Sequence, residues 1–238
     1  MKRSIIVATI TALLVAALPL AAGAARIDAT VFAVDCNDDS LVTVSGTLEV
    51  RGGSGVITTE CVVVIDDGSR LFFRDADLSC GAACSLVVGD SGERSTIKVI
   101  RSTINVTGPL QISAGCCSGG ENAESRGSVK VVDSALTGSS VEISASVATD
   151  GGRVVVRRSK LSATGPFGLS ISTFTDGRTT VVGNTFNSAG DVDVRSGFGT
   201  PGNTKARNNE FNAFGTVTIT ATGGSCVSTG NTPPVPCT

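Results

Sequence analysis

A phrase of nine residues recurs four times between Gly127 and Thr222, and no other feature constrains the fold as tightly. The copies are SVKVVDSAL, RVVVRRSKL, RTTVVGNTF and NTKARNNEF. Each holds a strand-like run, then Ser or Asn, then one free position, then a large apolar side chain. Those side chains are Leu136, Leu161, Phe186 and Phe211, with 25 residues between successive members. A fixed period between about 20 and 50 residues marks a solenoid, whose repeats bury their apolar faces only against neighbours. Gly, Ser, Thr and Val dominate the composition, and Trp, Tyr and His are absent. Small and β-branched residues favour short strands and tight turns. The chain is therefore expected to be all-β and single-domain, with about 25 residues per coil.

The period extends towards the N-terminus. Leu71-Phe72-Phe73 opens a match with its apolar anchor at Leu78, and the next anchor, Ile104, follows after 26 residues. A step of 32 then leads to Leu136, and the excess falls in a Gly-rich insertion around Cys116-Cys117. Within a coil, apolar residues alternate with polar ones, as a strand with one buried face requires. Ile97/Val99, Val129/Val131, Val154/Val156, Thr179/Val181 and Thr204/Ala206 take the inward positions of one strand. Leu110/Ile112, Val141/Ile143, Leu169/Ile171, Val192/Val194 and Val217/Ile219 take those of another. A short third strand surrounds the anchor. By the same alternation Val155, Gln111/Ser113, Glu142/Ser144 and Ser170/Ser172 face outward.

These repeats resemble those of right-handed parallel β-helices of the pectate-lyase-like architecture, with the generic form I-x-I-x-N-N-x-I. Thr204-Lys-Ala-Arg-Asn-Asn-Glu-Phe211 fits best, and the resemblance covers roughly Leu71 to Thr222. It implies an internal ladder of turn residues: Asn184 and Asn209, continued by Ser102, Ser134 and Ser159. It implies no single activity, because the architecture carries enzymes, adhesins and other proteins alike.

Four segments follow. Residues 1–24 read as a secretory signal peptide: Lys2-Arg3, then an apolar run, then Ala22-Gly23-Ala24 as a cleavage site. Residues 25–70 are expected to form an N-terminal cap with irregular first coils, from runs at Thr30–Val34, Leu41–Val50 and Cys61–Ile65. Residues 71–222 carry the regular coils, and 223–238 a C-terminal cap closed by a disulfide. No later run is apolar enough to span a bilayer. The expected location is extracellular or periplasmic.

Eight cysteines in an exported chain predict disulfides and no free thiol. Cys226 and Cys237 stand apart and are expected to bridge. Cys36–Cys61, Cys80–Cys84 and Cys116–Cys117 form the leading pattern for the rest, with Cys61–Cys84 as the rival. Without His or paired C-x-x-C motifs, the cysteines point away from zinc, and no metal or cofactor is expected.

Loss of Lys2 and Arg3 from 19 basic residues leaves 17 against 21 acidic ones. Nine of those 17 fall on the exposed side of one strand position: Lys98, Arg101, Lys130, Arg153, Arg157, Arg158, Arg178, Lys205 and Arg207. Such a stripe in a net-acidic protein is expected to bind an anionic polymer, with Lys98, Lys130, Arg157, Arg158, Lys205 and Arg207 as leading contacts. An acidic polysaccharide or another anionic cell-surface polymer suits it. The lack of interleaved aromatics disfavours nucleic acid. Asp191 and Asp193, with Arg195, form the one close acid pair and are weak candidates for polysaccharide lyase or hydrolase chemistry. The leading expectation is a secreted, non-catalytic β-helix that binds a surface or serves as a structural or adhesive element. The alternative is a polysaccharide lyase or hydrolase.

Overall fold

The computed structural model describes the backbone of residues 25–28, 41–44, 47–51, 54–57, 61–65, 70–88, 95–115, 127–145, 151–174, 176–197 and 201–238. Side chains are described at 70–86 and in the stretches from 95 onward. The expected signal peptide, Cys36 and the Cys116-Cys117 loop lie outside these residues.

Among the described residues every regular element is a strand. The strands form a parallel β-solenoid of about 25 residues per turn, with three strands per regular turn and three parallel sheets. Among the described residues sheet 1 has nine strands, from Ala25–Asp28 to Cys226–Thr229. Among them sheet 2 has seven, from Ser54–Ile57 to Glu210–Ala213, and sheet 3 has eight, from Leu41–Val44 to Val217–Ala221. Strands at 25–65 already belong to these sheets. The stack therefore runs through the segment where irregular first coils are expected, because strand pairing needs only backbone groups.

Equivalent residues of successive turns face each other at about 4.8 Å. The anchors form one column: Leu78, Ile104, Leu136, Leu161, Phe186 and Phe211. Phe186 and Phe211 stack with centroids 5.0 Å apart and planes 11° apart. The inward pairs on sheets 1 and 3 are buried wherever the alternation places them, except Val217, which is partly covered near the C-terminal end.

The turn between sheets 1 and 2 holds two columns. Asp75, Arg101, Asp133, Arg158, Gly183, Asn208 and Gly230 all have positive φ, between 47° and 66°. This left-handed residue bends the chain away from sheet 1, a conformation that costs non-glycine residues roughly 1–2 kcal/mol. The next residue turns inward to form the expected ladder. The Ser102 and Ser134 hydroxyls accept from the backbone N–H of Ala76 and Ser102, each at 3.2 Å. Ser159 Oγ accepts from Ser134 N at 3.2 Å, and Asn184 Oδ1 from Ser159 N at 3.0 Å. Asn209 and Asn231 accept from Asn184 N and Asn209 N at 3.1 and 3.0 Å. The amide Nδ2 groups of Asn184, Asn209 and Asn231 donate to the carbonyls of Val156, Val181 and Ala206. Asn231 thus carries the ladder into the C-terminal cap.

A second polar column was not legible as such. Thr179 and Thr204 occupy inward positions of sheet 1, where Thr173 and Ser196 of sheet 3 meet them at 3.1 and 2.7 Å. Thr179 also donates to the carbonyl of Arg195 at 2.7 Å. Inward threonine is satisfied here by carbonyls at the junction of two sheets.

The C-terminal segment covers the end of the stack. Cys226 is bridged to Cys237 as expected. Thr232 pairs with Glu210 and Cys237 with Ile219, and Val235 packs on the core. The Cys80–Cys84 bridge does not form: Cys80 is a buried free thiol, contrary to the expectation of none. It lies on sheet 2 in register with Val106, filling an apolar column as a small hydrophobe. Cys84 lies on sheet 3, where the backbone register puts Cys61 opposite it. That is the placement the rival pairing needs.

Four residues that face outward are nonetheless covered. Ser113, Ser144 and Ser172 are buried, and Ser144 Oγ donates to Ser113 Oγ at 3.0 Å. Short side chains stacked at strand spacing shield one another. Val155 is only 5% exposed, although it points out of the barrel beneath longer neighbours. Val156 faces the core and is fully buried. Val156→Asp is expected to destabilise by more than about 4 kcal/mol in urea melts, because its carboxylate has no partner. Val155→Asp, beside Lys130 and Arg157, should cost under about 1 kcal/mol; equal losses would contradict the parity of this strand.

The ladder gives a second test. Asn209→Ala strands the N–H of Asn184 and the carbonyl of Val181, so a loss of about 2–4 kcal/mol is expected. Asn209→Ser, which restores the serine used in earlier turns, should recover part of it in the same melts.

Candidate functional site

The outward face of sheet 1 carries the largest group of cations among the described residues. In register, its central row reads Phe72, Lys98, Lys130, Val155, Thr180, Lys205 and Val227. One flank holds Ser128, Arg153, Arg178 and Asn203, and the other Val132, Arg157, Val182 and Arg207. Lys130, Arg153, Arg157, Arg178, Lys205 and Arg207 are exposed. Among the described residues none of these six has a carboxylate within salt-bridge distance. Arg153 lies directly opposite Arg178, so like charges repel across neighbouring strands.

Three residues of the expected stripe are engaged differently. Lys98 Nζ lies 4.9 Å from the centroid of the Phe72 ring, a cation–π contact. Arg101 and Arg158 stand at the edge of the face in the left-handed turn column, and Arg158 lines the rim of the second depression there. There the charges alternate as Asp75, Arg101, Asp133 and Arg158. Arg101 donates to both carboxylate oxygens of Asp75 at 2.6 and 2.8 Å, and Arg158 to those of Asp133 at 2.7 and 2.8 Å. The hydrogen bond from Arg158 holds the Asp133 carboxyl below its usual range, and the carboxylates raise both guanidinium groups. Arg158 is therefore corrected from a free binding cation to a paired one. The signal was present in the sequence, since acid and base alternate at coil spacing one residue after each strand.

Two shallow depressions lie side by side here, of about 300 and 460 Å³. Arg153, Arg178 and Thr180 line the first, Val182, Arg207 and Asn208 line the second, and Arg157 and Lys205 belong to both. The sequence marked the cations. It did not mark Thr180, which is buried at the floor of the first depression and which only register places next to Lys205.

The acid pair on sheet 3 is occupied by structural contacts. Asp191 accepts from the backbone N–H of Thr216 at 2.7 Å. Asp193 accepts from the Thr218 hydroxyl at 2.9 Å and pairs with Arg195 at 3.3 Å. Glu142 is exposed in register with Ser170, two strands from Asp193. Among the described residues no three His, Cys, Asp or Glu side chains gather as metal ligands, and no helix is long and apolar enough to cross a membrane.

Comparison with known proteins gives no match to a protein family, a curated protein or a solved structure.

Asp133→Asn keeps a residue that tolerates the left-handed turn while releasing Arg158. The variant is expected to elute from a heparin column at higher salt than the wild type. Acidification should act in the same direction: the Asp133–Arg158 pairing is present above the ordinary carboxylate range and is lost as pH falls through the depressed pKa. Sulfate groups keep their charge there, so the wild type should gain more retention on acidification than the variant. Equal elution of both proteins at every pH would mean that Arg158 contributes nothing to the face.

Proposed function

We propose that this protein is an exported, non-catalytic binding module that holds an anionic polymer, such as an acidic polysaccharide, against the basic face of sheet 1. The carrying observation is a contrast between adjacent columns. The turn column neutralises each arginine with an aspartate of the preceding coil. On the sheet face, Arg153 and Arg178 stack without such partners. Uncompensated stacked charge lowers stability, and an anionic ligand would supply the missing counter-charge. Its exposed counterparts Lys130, Arg157, Lys205 and Arg207 extend the field over four strands. Export rests on the leader-like residues 1–24 and the Cys226–Cys237 bridge. The pectate-lyase-like relationship is part of the same reading and rests on the asparagine ladder. The engagement of Asp191 and Asp193 in turn and cross-strand contacts favours binding over acid–base chemistry.

Retention of the purified protein on heparin or alginate at rising salt tests the reading. The wild type should bind at low ionic strength and elute as salt screens its contacts. Arg157→Glu with Arg207→Glu should weaken binding by a few-fold to tens of fold without lowering Tm. Glu142→Lys, on another sheet, serves as the control and should not weaken it. Failure of the wild type to bind at low salt would refute the proposal, as would equal retention of the wild type and the double variant.

A further inference from the structure

We infer that the basic face holds a linear polyanion of phosphate groups, and that this chain lies across the solenoid, parallel to the strands, with one phosphate in each depression. This rests on the anion-binding reading above and narrows it in direction and chemistry.

The direction follows from where the free cations stand. Along the solenoid axis the central row places Val155 and Thr180 between Lys130 and Lys205. Those lysines are three strand spacings apart, about 14 Å, and Val227 follows beyond Lys205. A ligand running along the axis meets two separated charges there. Across the sheet free cations stand at every position: Arg153 and Arg178 at one flank, Lys205 in the central row, and Arg157 and Arg207 at the other flank, with Arg157 and Lys205 lining both depressions. Alternate residues of a strand, such as Lys205 and Arg207, are about 7 Å apart. The two depressions are therefore neighbours along the strand direction, at a separation of that order.

The chemistry follows from the number and kind of donors. The first depression presents four free cations and the second three, with Arg157 and Lys205 common to both. A carboxylate brings one charge and two acceptor oxygens. A linear phosphate chain carries a charge on every phosphorus, with two non-bridging oxygens on each internal phosphate and three on each end group, so it brings more charge and more acceptors per length than a polyuronate with one carboxylate per sugar ring. Five unpaired cations line the depressions and four of them are arginines, whose paired N–H donors match such oxyanions; Arg158, already bound to Asp133, lines the second as well. Buried Thr180 lines the first depression and gives it a low floor. The chain can thus approach the sheet closely enough for both flanks to reach it.

The test is a length series of inorganic phosphates bound to the full protein at fixed ionic strength: orthophosphate, pyrophosphate, tripolyphosphate and longer polyphosphate. Oligo-alginate of matched charge is the comparison. Affinity should rise by roughly ten-fold or more once the chain reaches both depressions, then level off, as linked contacts do when both sites are filled. Arg178→Glu affects only the first depression and Arg207→Glu only the second. Each should remove the gain with length and return long chains to the affinity of short ones, while Glu142→Lys changes nothing. Thermal melts of the variants establish that they remain folded. A smooth rise with total charge and no plateau, or oligo-alginate binding as tightly as polyphosphate, would overturn this inference and leave the broader anion-binding reading standing. No binding of any polyanion would overturn both.

Discussion

Parallel pairing of each strand with its equivalent one turn away is the constraint on which everything else here depends. It forces every residue to sit about 4.8 Å from a counterpart 25 or so positions along the chain. Each position in the coil becomes a column, and each column must be tolerable when stacked. Apolar columns gain from this, as Phe186 on Phe211 illustrates. Buried polar columns survive when each member bonds the next, as in the run from Ser102 to Asn231. Charged columns gain only if the sign alternates or a ligand intervenes.

The turn between sheets 1 and 2 joins these rules. A left-handed residue bends the chain, and the following Ser or Asn turns inward to satisfy backbone groups that the bend leaves unpaired. The strained position tolerates aspartate and arginine because its side chain points to solvent, where Asp75 with Arg101 and Asp133 with Arg158 form forked pairs. Exposed pairs of this kind add little stability. Their consequence is electrostatic: two arginines at the edge of the neighbouring face are neutralised. What remains positive is concentrated on the strands from Ser128–Val132 to Asn203–Arg207, and the basic surface is a compact field instead of a long stripe.

Sheet 3 provides the opposite case. Its close acid pair is already used, by a turn N–H for Asp191 and by Thr218 and Arg195 for Asp193. A carboxylate engaged as a turn cap is poorly placed to move a proton. The two faces of one scaffold thus differ in kind: one carries charges with partners, the other charges without them.

The sequence alone determined the period, the all-β class, the inward pairs, the Asn and Ser ladder and the Cys226–Cys237 closure. All are consequences of spacing along the chain, and a repeat writes spacing directly into the sequence. Alternation placed Val155, Ser113, Ser144 and Ser172 outward but did not foresee their burial, because it gives the direction of a side chain and not what covers it. It also left Cys80 without the partner expected from sequence proximity, since residues four apart lie on different sheets. Only the tertiary structure decided which arginines are neutralised and which remain free. That outcome depends on whether Asp133 meets Arg158 across one turn of the solenoid while Arg153 meets Arg178, a matter of register between turns.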